Sequence, residues 1–161
     1  MKRKTMYITS CFVCLSLLSS QCEMDKSYII DLINNSGHEI GYYFAMGGQY
    51  GVYYPDLLPI TNNYIVYDMN KEIASGHESH LEWEKVFSAF PKDTMSVFIF
   101  HTDTLNKYTW EEVRDKYMIL KRYDLSLDDL TKLNNKYSVP EIPYPPDDRM
   151  KNMKMYPPYG E

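Results

Sequence analysis

Cysteine is nearly missing from this chain of 161 residues, and its three cysteines all lie within the first 22 positions. They are Cys11, Cys14 and Cys22, so no cysteine is left to form a disulfide in the region that follows. That region must therefore be stabilised by packing alone, and a disulfide framework is excluded for it.

Long hydrophobic runs are also lacking. The apolar stretch from Ile8 to Leu18 has eleven residues, whereas a transmembrane helix needs about 20. Three basic residues at positions 2–4 precede the stretch, and this order is typical of a secretory signal peptide. We therefore expect residues 1–21 to be a signal peptide. Cys11 and Cys14 would be removed with it, so we do not expect their CxxC spacing to be a redox or zinc motif.

Cys22 follows Leu18-Ser19-Ser20-Gln21, and together these residues resemble a bacterial lipobox. The resemblance implies that the Cys22 thiol carries a palmitate-type lipid and that Cys22 becomes the mature N-terminus. Gln21 occupies a position where a lipobox usually has Ala, Gly or Ser, so cleavage without lipidation is the alternative. We expect Cys22 to be the lipid-attachment residue and residues 22–27 to be a lipidated tether.

Basic residues are in deficit once residues 1–21 are removed. The remaining chain has 14 basic and 22 acidic residues, a net charge of −8 instead of −5. This balance excludes nucleic acid as a partner, because that binding relies on Lys and Arg to neutralise phosphates. Membrane affinity would have to come from the acyl chains, at about 0.8 kcal/mol per buried methylene.

The anchor sets the expected location, which is the cell envelope, with the protein lipid-anchored to the outer membrane. Two acidic residues, Glu23 and Asp25, follow Cys22 closely. They fit a surface-export signal and also a plain solvated tether. Inward-facing and surface-exposed display both stay open at this point.

Residues 28–161 predict a single, mainly β domain. Five segments are rich in strand-forming residues: Tyr28–Ile33, Glu39–Met46, Tyr64–Tyr67, Met95–Phe100 and Met118–Asp124. The turn signal Asn34–Gly37 predicts that the first two strands return on each other. Residues 68–80 are mixed and polar, and Ser75-Gly76 predicts a turn there.

Short helices are predicted between the strands. Apolar residues at helical spacing indicate one over Leu81–Phe90. Thr109 and Glu112 form a capping box for a second helix that reaches about Tyr117. Ser126 predicts the start of a third. The expected fold is a small β-sandwich-like domain with two or three short helices, and a two-layer α+β fold is the alternative.

The C-terminal segment, residues 138–161, is rich in proline and contains two Tyr-Pro-Pro phrases. Polyproline-like segments need no hydrogen-bond ladder of their own. We expect this tail to wrap the domain with its tyrosines packed, and a loose tail is the alternative.

Two stretches of the chain resemble the C-terminal half of small, uncharacterised cell-envelope lipoproteins of Bacteroides-type bacteria. They are FIFHTDTLNKYTWEEVRDKYMILKRYDLSLDDLTKLN and YPPDDRMKNMKMYPPY. The resemblance covers residues 95–161 and implies an anchored envelope protein. It carries over no catalytic or ligand-binding residue.

Three short patterns contain metal-binding residue types, and each has a simpler explanation. His77 and His80 are three apart, whereas the HExxH motif places its histidines four apart, so a surface loop is the expected explanation. Asp124–Asp128 begins like a calcium loop, but the later glycine and glutamate positions are not filled, and helix capping explains the oxygens. A set of methionines has a spacing that suits Cu(I) and equally suits packing of the tail: Met150, Met153 and Met155. We expect neither a metal site nor a cofactor.

Tyrosine is abundant, and fifteen of the sixteen tyrosines follow Cys22. Tyr42, Tyr43, Tyr50, Tyr53 and Tyr54 surround a glycine-containing loop, where exposed rings could stack on sugars. The same residues are strong strand formers, so packing inside the sheet is the alternative.

No catalytic residue is assigned from the sequence. There is no GxSxG motif, and His101 follows a strand directly, where a hydrogen-bonded strand-end role is the common one. We expect a non-enzymatic binding or structural component of a surface assembly, with a protein or glycan partner. A glycan-binding surface lipoprotein is the alternative, and a small hydrolase is the third possibility.

Overall fold

The computed structural model describes residues 27–45, 58–63, 65–69 and 75–161. Within these ranges the domain is mainly β, with two sheets that face each other. The predicted sandwich-like fold is confirmed. Cys22 and the tether before Ser27 lie outside the described residues.

Among the described residues, eight strands form the two sheets. They are β1 (Tyr28–Asn34), β2 (Ile40–Ala45), β3 (Val66–Met69), β4 (Ser75–Ser79), β5 (Thr94–His101), β6 (Lys121–Ser126), β7 (Glu141–Tyr144) and β8 (Lys154–Tyr156). The small sheet has the order β4-β1-β7, and the large sheet has the order β3-β2-β5-β6-β8. Neighbours in the large sheet are antiparallel, whereas β1 and β7 run parallel.

Four short α-helices lie between the strands in the described part of the chain. They are α1 (Trp83–Ser88), α2 (Thr102–Lys107), α3 (Trp110–Asp115) and α4 (Leu127–Lys132). Two 3-10 turns, Pro91–Asp93 and Asp148–Met150, accompany them. The sequence predicts two or three helices, and α2 is the helix that it does not indicate.

The main core lies between the two sheets. Alternate residues of β5, such as Met95 and Val97, meet Ile30 and Leu32 of β1 across this core. The Tyr123 hydroxyl on β6 donates to the Pro143 carbonyl on β7 at 3.0 Å. This hydrogen bond joins the large sheet to the small one.

A second core covers the other face of the large sheet. Tyr43, Phe98 and Phe100 pack there against Val113 of α3 and half-buried residues of α2 and of the 116–119 connection. Strand β5 is thus buried on both faces. This explains the continuous apolar run in its sequence, since a strand between two cores has no solvent-facing side.

The predicted return of the second strand on the first is wrong. Strand β1 pairs with β4 and β7, whereas β2 pairs with β3 and β5. The turn between them does form, because the Asn34 side chain donates to the His38 carbonyl at 2.7 Å. It carries the chain from one sheet to the other. Every residue of β2 is buried, because both faces of the large sheet are covered.

The turn predicted at Ser75-Gly76 is also wrong, because these residues begin strand β4. Gly76 lies opposite Asp31 of β1. A Cβ at position 76 would stand 2.9 Å from the Asp31 carboxylate oxygen and equally close to the Ile29 side chain. The glycine therefore permits close packing on the strand and does not mark a turn.

The predicted capping box at Thr109 and the predicted helix start at Ser126 are both confirmed. The Glu112 amide donates to the Thr109 hydroxyl at 3.3 Å, and the Glu112 carboxylate accepts from the Thr109 amide at 3.1 Å. Ser126 and Asp129 make the same reciprocal pair at the start of α4. Helix α3 ends at Asp115, earlier than the predicted Tyr117, which has a left-handed φ of 49°.

The C-terminal tail is packed against the domain, as predicted. The expected packing of its tyrosines holds for Tyr144, which lies against the main core, but is wrong for Tyr156, which is 51% exposed. It supplies β7 and β8, one to each sheet. The Lys121 ammonium donates to the backbone oxygens of Pro157, Pro158 and Glu161 at 3.0 to 3.3 Å. Burial lowers the pKa of this amine, and its three acceptors hold the last residues against β6.

Candidate functional site

An open groove of about 500 Å³ lies where α1, the 3-10 turn Pro91–Asp93 and the start of α4 meet. Residues of all three elements line it. Its size falls in the range of roughly 300–1,000 Å³ that is typical of ligand sites in proteins. We call it the α1–α4 groove.

The groove has an apolar floor. Phe87 of α1 is only 2% exposed, and its ring packs edge-on against Phe90 at a centroid distance of 5.4 Å. Leu127 at the start of α4 is half-buried beside it. Because Phe87 belongs to the main core, the floor is fixed in place by the fold.

Two serines of the groove are already engaged by their own helices. The Ser88 hydroxyl donates to the Lys85 carbonyl at 2.9 Å. The Ser126 hydroxyl donates to the Asp129 carboxylate at 2.8 Å, which completes the cap of α4. These hydroxyls stabilise helix ends and have little left to offer a ligand.

Three carboxylates stand on the rim of the groove: Glu84, Asp93 and Asp128. All three residues are exposed, and their side chains have no hydrogen bond or ion pair to any described residue. Lys92 is the one cation lining the groove, and it already takes part in an interaction within the protein.

The backbone of the 3-10 turn is unusual at the rim. Lys92 and Asp93 have φ values of 55° and 49°, so two successive non-glycine residues adopt the left-handed conformation. Such conformations cost free energy and persist only where the surrounding structure holds them. The turn directs the chain from α1 into β5 and sets Asp93 on the rim.

No sequence pattern pointed to this groove. Its three acids come from positions 84, 93 and 128, and each resembles an ordinary solvated surface residue. The recognisable signals nearby were the Ser126 cap and Pro91, which mark the ends of elements. Their meeting depends on the contact between α1 and α4, which only the fold reveals.

His101 lines a second, smaller cavity of about 160 Å³. Its Nδ1 atom accepts a hydrogen bond from the Asp103 amide at 3.2 Å and lies 3.7 Å from the Asp103 carboxylate. The imidazole thus caps the start of α2. The expected strand-end role is confirmed, and the hydroxyls lining this cavity belong to Thr104 and Tyr108.

Two of the five tyrosines considered for sugar stacking lie in the cores. Tyr42 is 4% exposed and faces the main core, and Tyr43 is 6% exposed and faces the second core. Stacking on a glycan is therefore wrong for these two rings, which pack the sheet instead. Tyr50, Tyr53 and Tyr54 lie outside the described residues.

His77 lies on strand β4, so its predicted place in a surface loop is wrong. It pairs with Ile30 of β1, and its ring is 5.8 Å from the ring of Phe44. Burial lowers the pKa of this imidazole. His80 follows the strand and is exposed, so the two histidines have different surroundings.

The methionines of the tail pack against the domain, which is the simpler of the two explanations for their spacing. Met150 and Met153 are buried in the main core, and Met155 packs against it. Their sulfurs share that core with the sheets. In the ranges that the structure describes, no group of three or more His, Cys, Asp or Glu side chains could hold a metal ion.

Asp124, the first residue of the calcium-like pattern, is a buried charge. Its carboxylate accepts from the Ser96 hydroxyl at 2.8 Å. It also pairs with Arg122 at 3.1 Å and with Lys154 at 3.6 Å. Since these partners belong to β5, β6 and β8, the network stabilises the edge of the large sheet where the tail joins it.

Comparisons of the chain with protein-family models, curated proteins and solved structures gave no match. Across the described ranges, no helix is both long and apolar enough to span a membrane. Function is therefore inferred from the site itself.

Proposed function

We propose that this chain is an exported, lipid-anchored protein of the cell envelope that acts by binding and not by catalysis. Residues 1–21 direct export, and Cys22 carries the lipid that holds the domain to the outer membrane. The domain is a binding component of a surface assembly. The observation that carries this proposal is the α1–α4 groove, whose apolar floor and three uncommitted carboxylates are suited to contact a partner.

The position of the first strand supports the anchor. Strand β1 begins at Tyr28, so residues 23–27 alone separate it from Cys22. Five extended residues span at most about 18 Å. The lipid would therefore hold the small sheet close to the membrane, because β1 is the central strand of that sheet.

The rim chemistry supports binding over catalysis. The two serines of the groove are committed to helix ends, because Ser88 donates to the Lys85 carbonyl and Ser126 donates to the Asp129 carboxylate of its own cap. The glycan-binding alternative now depends on Tyr50, Tyr53 and Tyr54. A small hydrolase would depend on His101, whose Nδ1 atom is occupied by the cap of α2.

The anchor is tested by labelling cells with an alkyne fatty acid. Label is expected on the wild-type protein and on a Cys14→Ser control, and it should vanish in Cys22→Ser. Label that persists in Cys22→Ser would contradict lipidation at this residue.

The binding role is tested by placing a photo-crosslinking amino acid at Ser88, which lies in the groove and is exposed. The control position is Asn106, an exposed residue of α2 outside the groove. Illumination of intact cells is expected to give a discrete crosslinked species from position 88 and none from position 106. Equal yields from both positions, or none from position 88, would overturn a binding role for the groove.

A further inference from the structure

We propose that the α1–α4 groove binds a basic segment of a partner protein, whose Lys or Arg side chains pair with Glu84, Asp93 and Asp128. The inference rests on the proposed function, because it names the chemical class of the partner for the same groove.

Charge complementarity is the first reason. The rim carries three carboxylates and one lysine, Lys92, so acidic groups outnumber basic ones there. Carboxylates pair most strongly with ammonium and guanidinium groups through charge-assisted hydrogen bonds. A basic side chain would supply partners to acceptors that have none among the described residues.

The apolar floor is the second reason. Lys and Arg carry aliphatic stems that bury against apolar surface while their charged ends stay near water or acids. Leu127 is half-buried and offers such a surface below the rim, and the buried ring of Phe87 supports it from the core. A basic side chain therefore matches both parts of the groove, whereas an acidic one would match neither.

The spread of the carboxylates favours an organic cation over a metal ion. Glu84 lies on α1, Asp93 on the 3-10 turn and Asp128 on α4. They do not form a group that could hold a metal, since no such group exists in the described ranges. Acceptors on three separate elements suit the several donors of an extended basic segment.

The net charge of the whole molecule also favours a basic partner. The chain that follows residue 21 has a net charge of −8, so a basic partner would be attracted from a distance at low ionic strength. Long-range attraction accelerates encounter but does not select a site. The groove provides the local contacts that would.

The test measures binding of two fluorescent peptides to the full-length protein, produced in cells and solubilised in a mild detergent. One peptide alternates Arg and Leu over eight residues, and the other alternates Glu and Leu. Fluorescence anisotropy is expected to show binding of the Arg peptide and none of the Glu peptide. The affinity should fall as NaCl is raised from about 0.05 to 0.5 M, because exposed charges are screened.

The deciding comparison uses two triple variants with the same change of net charge. Glu84→Gln, Asp93→Asn and Asp128→Asn alter the rim, and asparagine tolerates the left-handed backbone at position 93. The control changes exposed acids outside the groove: Glu39→Gln, Glu111→Gln and Asp115→Asn. The rim variant is expected to bind the Arg peptide about tenfold more weakly, and the control less than twofold.

Equal losses in the two triple variants would overturn the inference, because binding would then follow net charge alone. The single variant Glu84→Lys keeps the test decisive if the rim variant unfolds, since it changes one exposed residue. Retention of full affinity by Glu84→Lys would also contradict it. If position 88 still crosslinks a partner when peptide binding fails, the proposed function stands and only the basic partner is rejected.

Discussion

His77 shows how one residue can make stability depend on pH. Its imidazole packs against Phe44, and burial lowers its pKa from the usual value of 6.5. The unfolded chain therefore takes up a proton at a higher pH than the folded domain does. Below about pH 6.5 the unfolded state binds more protons, so the free energy of unfolding must fall with decreasing pH until the folded pKa is passed.

Replacing His77 by Phe or by Gln is expected to flatten this part of the pH dependence. Both replacements remove the titrating group, while Phe keeps an aromatic ring beside Phe44 and Gln keeps a polar side chain. Urea unfolding at several pH values between about 7 and 5 measures the effect. An unchanged slope in both variants would show that His77 does not titrate in this way.

The rim of the groove shows the limit of residue-level reasoning. Glu84, Asp93 and Asp128 look like solvated acids in the sequence, and nothing about their local pattern brings them together. Tyr42 shows a second limit. Tyrosine is a strong strand former, and the ring of a tyrosine on a strand can be either packed or exposed. Burial decides between these roles, and burial depends on distant parts of the chain.

At the scale of elements, a buried hydrogen bond links the two sheets. Tyr123 on β6 donates its hydroxyl hydrogen to the Pro143 carbonyl on β7 across the buried interface. Desolvation raises the pKa of this phenol well above its usual value. The hydroxyl therefore stays protonated and remains a donor.

Tyr123→Phe is expected to lower the free energy of unfolding by about 1–3 kcal/mol, because the Pro143 carbonyl would be left without this donor inside the domain. Urea denaturation measures the change, with Tyr137→Phe as the control on a residue that is 73% exposed. The control should leave stability within about 0.5 kcal/mol of the wild type. Equal effects from the two substitutions would contradict a special role for the hydrogen bond between the sheets.

Elements with local signals were predictable, and their partners were not. The capping boxes at Thr109 and Ser126 depend on residues three apart, so the sequence places both helix starts. The apolar run of β5 likewise indicates burial on both faces. The pairing of β1 with β4 and β7 depends on contacts between distant segments, and the local turn at Asn34 gives no information on which sheet the next strand joins.

At the scale of the whole molecule, the proposed anchor, the net negative charge and the groove all favour a domain that is held at the membrane and binds a partner. Cys22 lies five residues before Ser27–Tyr28, where the described domain begins, and the chain after residue 21 is acidic. An acidic domain has little attraction to an anionic membrane surface. The lipid would therefore supply the attachment and leave the protein surface available for a partner.

We propose that Cys22 holds in the envelope a domain whose groove binds a partner. This central claim is tested most directly by the yield of the position-88 crosslinked complex in the membrane fraction of intact cells, compared between native Cys22 and Cys22→Ser. We expect a discrete complex in the membrane fraction with Cys22 and its loss from that fraction with Cys22→Ser. No complex in either strain, or the same membrane-bound yield in both, would contradict the account.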